Sequence, residues 1–151
     1  MKRSSRLSLA LHALVHLHKQ PDEAITSSTL AQCLMTNPVV VRRALGTLRE
    51  AGIVAATKGH DGGWRLLRPA AEISLRQIYI AMGESLLIRT ESDPGDIQCG
   101  IVRTVNTVMG DFLADAEALL AARLERVSLD DIARQATPNP LHPQYGAHNH
   151  G

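Results

Sequence analysis

Aromatic residues are almost missing from this chain: Trp64, Tyr79, Phe112 and Tyr145 make up 3% of its 151 residues. Stacking of single-stranded bases on aromatic platforms is therefore not expected. Cysteine is scarcer still. Cys33 and Cys99 are too few for a disulfide scaffold or for a four-thiolate metal site within one chain, and they suit a reducing, cytoplasmic setting. Long hydrophobic runs are lacking as well. The longest stretch without charge, residues 24–41, carries Thr, Ser, Gln, Asn and Pro, so no membrane span is expected. Lys2, Arg3 and Arg6 precede the apolar run 7–17 in the order of a signal peptide. However, Ser8, His12 and His16 interrupt that run, and His18-Lys19-Gln20-Pro21 follows it without a small-x-small cleavage site, so export is not expected.

Charge is present, and it is divided unevenly. The formal net charge is +1. Residues 1–69 hold ten Lys/Arg against four Asp/Glu, whereas residues 70–151 hold six against eleven. A basic part joined to an acidic one indicates a head that meets a polyanion and a remainder that does not.

Leu7, Leu11, Leu14 and His18 recur at helical spacing, with Ala10 and Leu17 widening the stripe, which predicts an amphipathic helix over 5–19. Pro21-Asp22-Glu23 ends it. A second helix is expected to start near Ser27 or Ser28, whose hydroxyls can cap it, and to run through Leu30, Ala31 and Leu34. Thr36-Asn37-Pro38 is the clearest start signal, with Asn at the N-cap and Pro at the first helical position. Val41, Ala44, Leu45 and Leu48 then give the third helix its apolar stripe, and Gly52 suits a left-handed end.

After Gly52 the period changes. Residues 53–57 and 64–67 read as two strands, with Lys58-Gly59-His60-Asp61-Gly62-Gly63 reversing the chain between them. Ser74-Leu75-Arg76-Gln77 is a capping box that opens a helix to about Gly83. Residues 84–100 read as a polar loop. A long helix follows over 101–126, its apolar positions Ile101, Val105, Val108, Phe112, Ala116, Leu119 and Leu120 stepping mostly by three or four. Roughly 26 residues at 1.5 Å each span about 39 Å, more than a domain of this size covers, so a second copy is expected to pack along it. Ser128-Leu129-Asp130-Asp131 caps a last short helix, and residues 136–151, rich in Pro and His, read as a disordered tail.

Three helices followed by a two-stranded ribbon with a glycine-rich tip is the order of a winged helix-turn-helix. The fold class expected is thus mainly α with a small β wing, plus a long C-terminal dimerisation helix. Residues 1–69 form the DNA-binding domain, and residues 70–135 supply linker helix, sensor loop and dimerisation helix. With its apolar stripe turned inward, the third helix leaves Val39, Val40, Arg42, Arg43, Thr47 and Arg49 pointing variously outward. Its first turn can offer Asn37, Val39, Val40 and Arg42 or Arg43 to base edges in a major groove. A solvated basic face is the plain alternative, yet such a face has little reason to show two adjacent valines. Lys58, His60 and Arg65 around the glycines can reach phosphates or the minor groove, while Arg3, Arg6, Ser28 and Thr29 complete the expected DNA-binding set.

Four segments carry a closer likeness: Ser5-Arg6-Leu7-Ser8-Leu9-Ala10, Thr36-Asn37-Pro38-Val39-Val40-Val41-Arg42, Leu48-Arg49-Glu50-Ala51-Gly52-Ile53-Val54, and Lys58-Gly59-His60-Asp61-Gly62-Gly63-Trp64-Arg65-Leu66. Together they resemble the IscR/NsrR/CymR family of bacterial transcription regulators (the Rrf-two superfamily), and the Thr-Asn-Pro-Val-Val stretch most resembles its YwnA branch. The resemblance covers about residues 1–133. It implies a homodimer whose long helices cross and whose two winged heads read a palindromic duplex site. It also places Asn37, Val39, Val40 and Arg42 at base-reading positions and Lys58 where a wing Arg enters the minor groove. Asn37 and Arg42 depart from the cluster-binding members, so the operator sequence does not carry over.

Family members that sense iron–sulfur status have three cysteines between the short helix and the long one. This chain has Cys99 alone there, with Val102 where a histidine would stand. Two copies offer two thiolates against the four ligands a cluster takes, even with Glu91, Asp93 and Asp96 nearby, so no cofactor is expected. Cys99 near a helix N-terminus is either an oxidation-sensitive thiolate or an inert, partly buried cysteine. Cys33 reads as a core residue of the second helix. His12 and His16, one turn apart, read as surface or boundary histidines rather than a ligand pair, His142, His148 and His150 in the tail read as binding nothing, and no metal site is expected. No nucleophile motif, phosphate loop or convergent His/Cys/Asp spacing argues for an enzyme. The function expected is a dimeric, DNA-binding transcriptional repressor answering to thiol oxidation or a small signal. The competing reading is a winged helix that binds a partner protein instead of DNA.

Overall fold

The computed structural model describes residues 5–60, 62–84 and 99–136. In chain order they form α1 (Ser5–Lys19), α2 (Ser27–Leu34), α3 (Pro38–Glu50), β1 (Val54–Thr57), β2 (Gly63–Leu66), a 3-10 turn at Ala70–Glu72, α4 (Leu75–Ala81), α5 (Gly100–Glu125) and α6 (Leu129–Gln135). The architecture is mainly α with a two-stranded β ribbon and a long C-terminal helix, as the residue pattern predicts.

α3 starts where its sequence says it must. The Val39 amide donates to Asn37 Oδ1 at 2.8 Å, and Pro38 fills the first position, where no N–H is needed. Val41, Ala44, Leu45 and Leu48 are buried. Gly52 has φ +75°, the left-handed turn that carries the chain from α3 into the ribbon. α2 differs from expectation in its cap. Neither Ser27 nor Ser28 serves; the cap is Thr26, whose Oγ1 accepts from the Thr29 amide at 3.1 Å. The reason lies outside the segment: Ser27 is already helical, and its Oγ accepts the Trp64 indole N–H at 2.9 Å.

β1 and β2 are antiparallel, with Val54 opposite Leu66, Ala55 opposite Arg65, Ala56 opposite Trp64 and Thr57 opposite Gly63. The ladder is four residues long, and Ile53 and Leu67 hydrogen-bond just beyond it at 3.0 Å. A third segment joins the ribbon unannounced by the sequence. Ile25 and Trp64 exchange backbone hydrogen bonds of 2.9 and 2.8 Å, so the wing is anchored to the turn between α1 and α2.

The core gathers Leu14, Leu17, Leu30, Leu45, Leu48 and Ile53 from the head with Ile73, Ile78 and Leu129 from beyond it. Each such side chain, fully withdrawn from water, contributes about 1.5–3 kcal/mol. α6 is drawn back against the head. Leu75 N–H donates to Val127 and Leu129 N–H to Ile73, both at 2.8 Å, and Ser128 forms a capping box with Asp131. His18 Nε2 lies 3.1 Å from Asp130 Oδ1 and links α1 to α6.

α5 behaves differently. Its 26 residues span about 39 Å, yet Leu124, near its C-terminal end, is its one buried residue. No helix among the described residues is long and apolar enough to cross a membrane.

Candidate nucleic-acid interface

The first turn of α3 stands clear of the core. Val39 and Val40 are 45% and 44% exposed, and Arg42 and Arg43 are exposed without an ion pair among the described residues. Two cations with unused donors flank two uncovered branched apolar side chains, which is the mixture that reads guanine edges and thymine methyls. Asn37 is exposed beside them, but its Oδ1 is held by the helix cap. Its amide N–H groups and the second lone pair of that oxygen remain, so in the paired donor-and-acceptor contact that Asn makes with adenine the oxygen would be shared with the cap. Thr47 is less available than its helical position suggests. Its hydroxyl donates to the Arg43 carbonyl at 3.0 Å one turn back, and the residue is half-buried.

On the ribbon, Lys58 and His60 are exposed at the turn. Gly59 has φ +109°. A Cβ at Gly62 would stand 2.6 Å from the Thr57 carbonyl oxygen and 2.8 Å from that of Gly59, so the tight reversal needs glycine at both positions. Arg65 sits inside β2 opposite Ala55 rather than at the tip, and its Nε is buried without a hydrogen-bond partner. Ser28 is exposed at the start of α2, Thr29 is tied into the Thr26 cap, and Arg6 is exposed at the start of α1. Arg3 lies outside the described residues.

Three contacts that sequence reading did not supply position this surface. The Arg49 guanidinium lies over the Trp64 ring, 6.0 Å from its centroid, joining α3 to the ribbon. Arg68 donates to the Gly52 carbonyl at 3.4 Å and to Gln77 Oε1 at 3.2 Å, which ties the end of α3 to the capping box of α4. Met35, at the turn between α2 and α3, has φ +53° and is 83% exposed.

The predicted dimer stripe on α5 is uncovered in the single chain. Ile101, Val105, Val108, Phe112 and Leu119 are exposed, Phe112 by 66% and Leu119 by 75%. Met109 joins them, while Ala116 and Leu120 are half-buried. A row of large apolar side chains in water along one helix marks an interaction face.

Cys99 is the N-cap residue of α5 and is exposed, so the partly buried alternative does not hold. Its sulfur makes no full capping hydrogen bond, but the Val102 and then the Ile101 amides lower the thiol pKa. Because the acid form is the neutral one, a lowered pKa means thiolate at lower pH. A maleimide or disulfide reagent titrated against pH is expected to modify Cys99 with a midpoint below that of the unfolded chain; equal midpoints would show that the helix end has no such effect. Cys33 is half-buried rather than a core residue. His12 is exposed and His16 half-buried. Among the described residues no three His, Cys, Asp or Glu side chains are grouped to hold a metal ion. Glu91, Asp93, Asp96 and the histidines at 142, 148 and 150 lie outside the described residues, as do most of the predicted loop and tail.

Comparison with known proteins gives this geometry its context. A family model described as Rrf2, iron-dependent transcriptional regulator, matches residues 3–135. YwnA of Bacillus subtilis, named as an HTH-type transcriptional regulator, is 27% identical over 129 residues, which is 85% of this chain and 95% of that protein. Among solved structures, a transcriptional regulator from Lactobacillus plantarum superposes with a TM-score of 0.71 at 25% identity, covering 86% of this chain and 88% of the other. CymR, the global cysteine regulator of B. subtilis, shares the fold with a TM-score of 0.64 at 18% identity, over 91% of this chain and 99% of its own.

Proposed function

This chain belongs to the Rrf2 family of transcriptional regulators, and from that premise we propose that it acts as a homodimer that reads a palindromic duplex site and represses the promoter it covers. It is a DNA-binding regulator and not an enzyme. The observation that supports the reading most strongly is the start of α3, where Val39 and Val40 stand exposed beside Arg42 and Arg43, which form no ion pair among the described residues. Arg42 and Arg43 would contact guanine or phosphate, the valines would meet thymine methyls, and Lys58 and His60 would follow the backbone at the wing. The exposed stripe on α5 would be covered by its counterpart in a second copy, placing two heads for two half-sites.

Two signals fit the sensor region, oxidation of the Cys99 thiolate or a small molecule. An iron–sulfur cluster does not fit, since each copy brings one cysteine to that helix end and a cluster takes four ligands.

The test is a gel shift on duplex from the region upstream of the chain's own gene. Tight binding that weakens steeply with salt is expected, because several Lys and Arg displace counterions. Arg42→Ala is expected to cost about ten- to a hundredfold on the preferred duplex and to relax base preference. Lys58→Ala is expected to weaken binding evenly across sequences and reduce the salt slope by about one. Asn37 is best tested as Asn37→Ser, which keeps the cap while removing the amide donor. The same assay on reduced, peroxide-treated and Cys99→Ser protein separates the two signals. Binding no tighter than to random duplex would overturn the reading.

A further inference from the structure

Met35 is an outlier twice over. It is the one non-glycine residue with positive φ among the described residues, at +53°. It is also the most exposed of the large hydrophobic side chains there, at 83%. Its backbone role explains only the first fact. The Met35 amide reaches back to the Ala31 and Gln32 carbonyls and closes α2 in the left-handed manner, a task that glycine performs with less strain. A long unbranched thioether at that point adds nothing to the core, since it leaves the turn for solvent. Strain kept by a residue whose side chain does no work inside the fold points outward, to something the side chain meets.

Its place in the chain says what that is. Met35 stands two residues before Asn37, the N-cap of α3, and four before Val39. The turn it occupies is the one that delivers the reading helix to the groove. Met35 on that turn and Val39 and Val40 in the first turn of α3 are all exposed apolar side chains, close in sequence to Arg42 and Arg43. Thymine is the base whose major-groove edge carries a methyl group, and a flexible thioether adapts to such a surface.

We propose that Met35 is a specificity-determining residue that packs against a thymine methyl at the edge of each half-site. This rests on the DNA-reading function above, and the test keeps the two apart. The wild-type protein is first used to enrich duplexes from a random-sequence pool, and the enriched duplex is the probe. Met35→Gly and Met35→Asn, both tolerant of the left-handed backbone, are expected to unfold at no lower temperature than wild type but to bind that duplex about three- to tenfold more weakly, because the thioether no longer shields the methyl from water. Met35→Leu is expected to retain most of the affinity. Replacing thymine by uracil at the contacted position is expected to weaken wild type by a similar factor and to leave Met35→Gly unchanged. Binding to unrelated duplex is expected to be equal for all variants.

If wild type enriches a sequence but Met35→Gly binds it as tightly, the inference falls and the function stands. A uracil effect of equal size in Met35→Gly and wild type also overturns it. If wild type enriches nothing, the function falls and this inference with it.

Discussion

Phe112→Glu is expected to halve the mass in sedimentation equilibrium and to weaken binding to the upstream duplex by at least a hundredfold, without lowering the stability of the winged head. Phe112 is 66% exposed in the single chain and lies midway along a stripe that continues at Val108 and Leu119. In the proposed dimer each copy would bury it against the other helix. A carboxylate there faces its own copy across an apolar seam, and burying unpaired charge costs several kcal/mol per group. The effect on DNA binding then follows from valency. In that dimer two linked heads would meet two half-sites at a high effective concentration, and separated heads would forfeit an advantage that commonly amounts to a factor of about 100 or more. Ala114→Glu provides the control. It lies about 200° around the helix from Phe112, at about 100° per residue, is exposed, and is expected to leave the mass unchanged. A Phe112→Glu protein that still sediments as a dimer would place the interface elsewhere.

The difference between Phe112 and the contacts that organise the head is also the difference between what the residue pattern discloses and what it hides. Periodicity reports which side chains share one face of a helix, so the buried stripe of α3 was legible, and so was the apolar row on α5, which the single chain leaves exposed. Local caps were legible for the same reason: Asn37-Pro38, Ser74 with Gln77, and Ser128 with the acidic residues after it close their hydrogen bonds within three residues. Contacts made across the chain carry no such mark. The bridge between Ile25 and Trp64, the hydrogen bond between His18 and Asp130, and Arg68 spanning Gly52 and Gln77 each join residues that have no periodic relation. The misplaced α2 cap belongs with them, since Ser27 is diverted by Trp64, 37 positions away. In the candidate interface, exposure of Val39, Val40, Arg42 and Arg43 followed from the stripe behind them. The engagement of Asn37 and Thr47 with the backbone, and the projection of Met35, depended on dihedral angles and hydrogen bonds that residue types alone do not fix.

Gly63→Ala is expected to destabilise the head strongly for a single-methyl change, costing about 3 kcal/mol. A Cβ there would stand 2.7 Å from both the carbonyl carbon and the oxygen of Ile25, and 3.0 Å from its nitrogen. Those are backbone atoms, so no rotamer change relieves the overlap. The segment at Ile25 must move, and with it go the two hydrogen bonds that hold it to Trp64. Trp64 is the hinge of the wing, bonded to Ser27 and covered by Arg49, so its displacement loosens the ribbon that carries Lys58 and His60. At about 2–4 °C per kcal/mol for a chain of this size, the unfolding midpoint is expected to fall by roughly 6–12 °C, with DNA affinity reduced evenly across sequences. The opposite sign is expected of Gly46→Ala. Gly46 lies within α3 with nothing within 4 Å of an added Cβ, and replacing glycine by alanine inside a helix stabilises by about 0.5–1 kcal/mol. Calorimetry on the two variants measures both shifts. A Gly63→Ala protein as stable as Gly46→Ala would mean that Ile25 does not hold the wing.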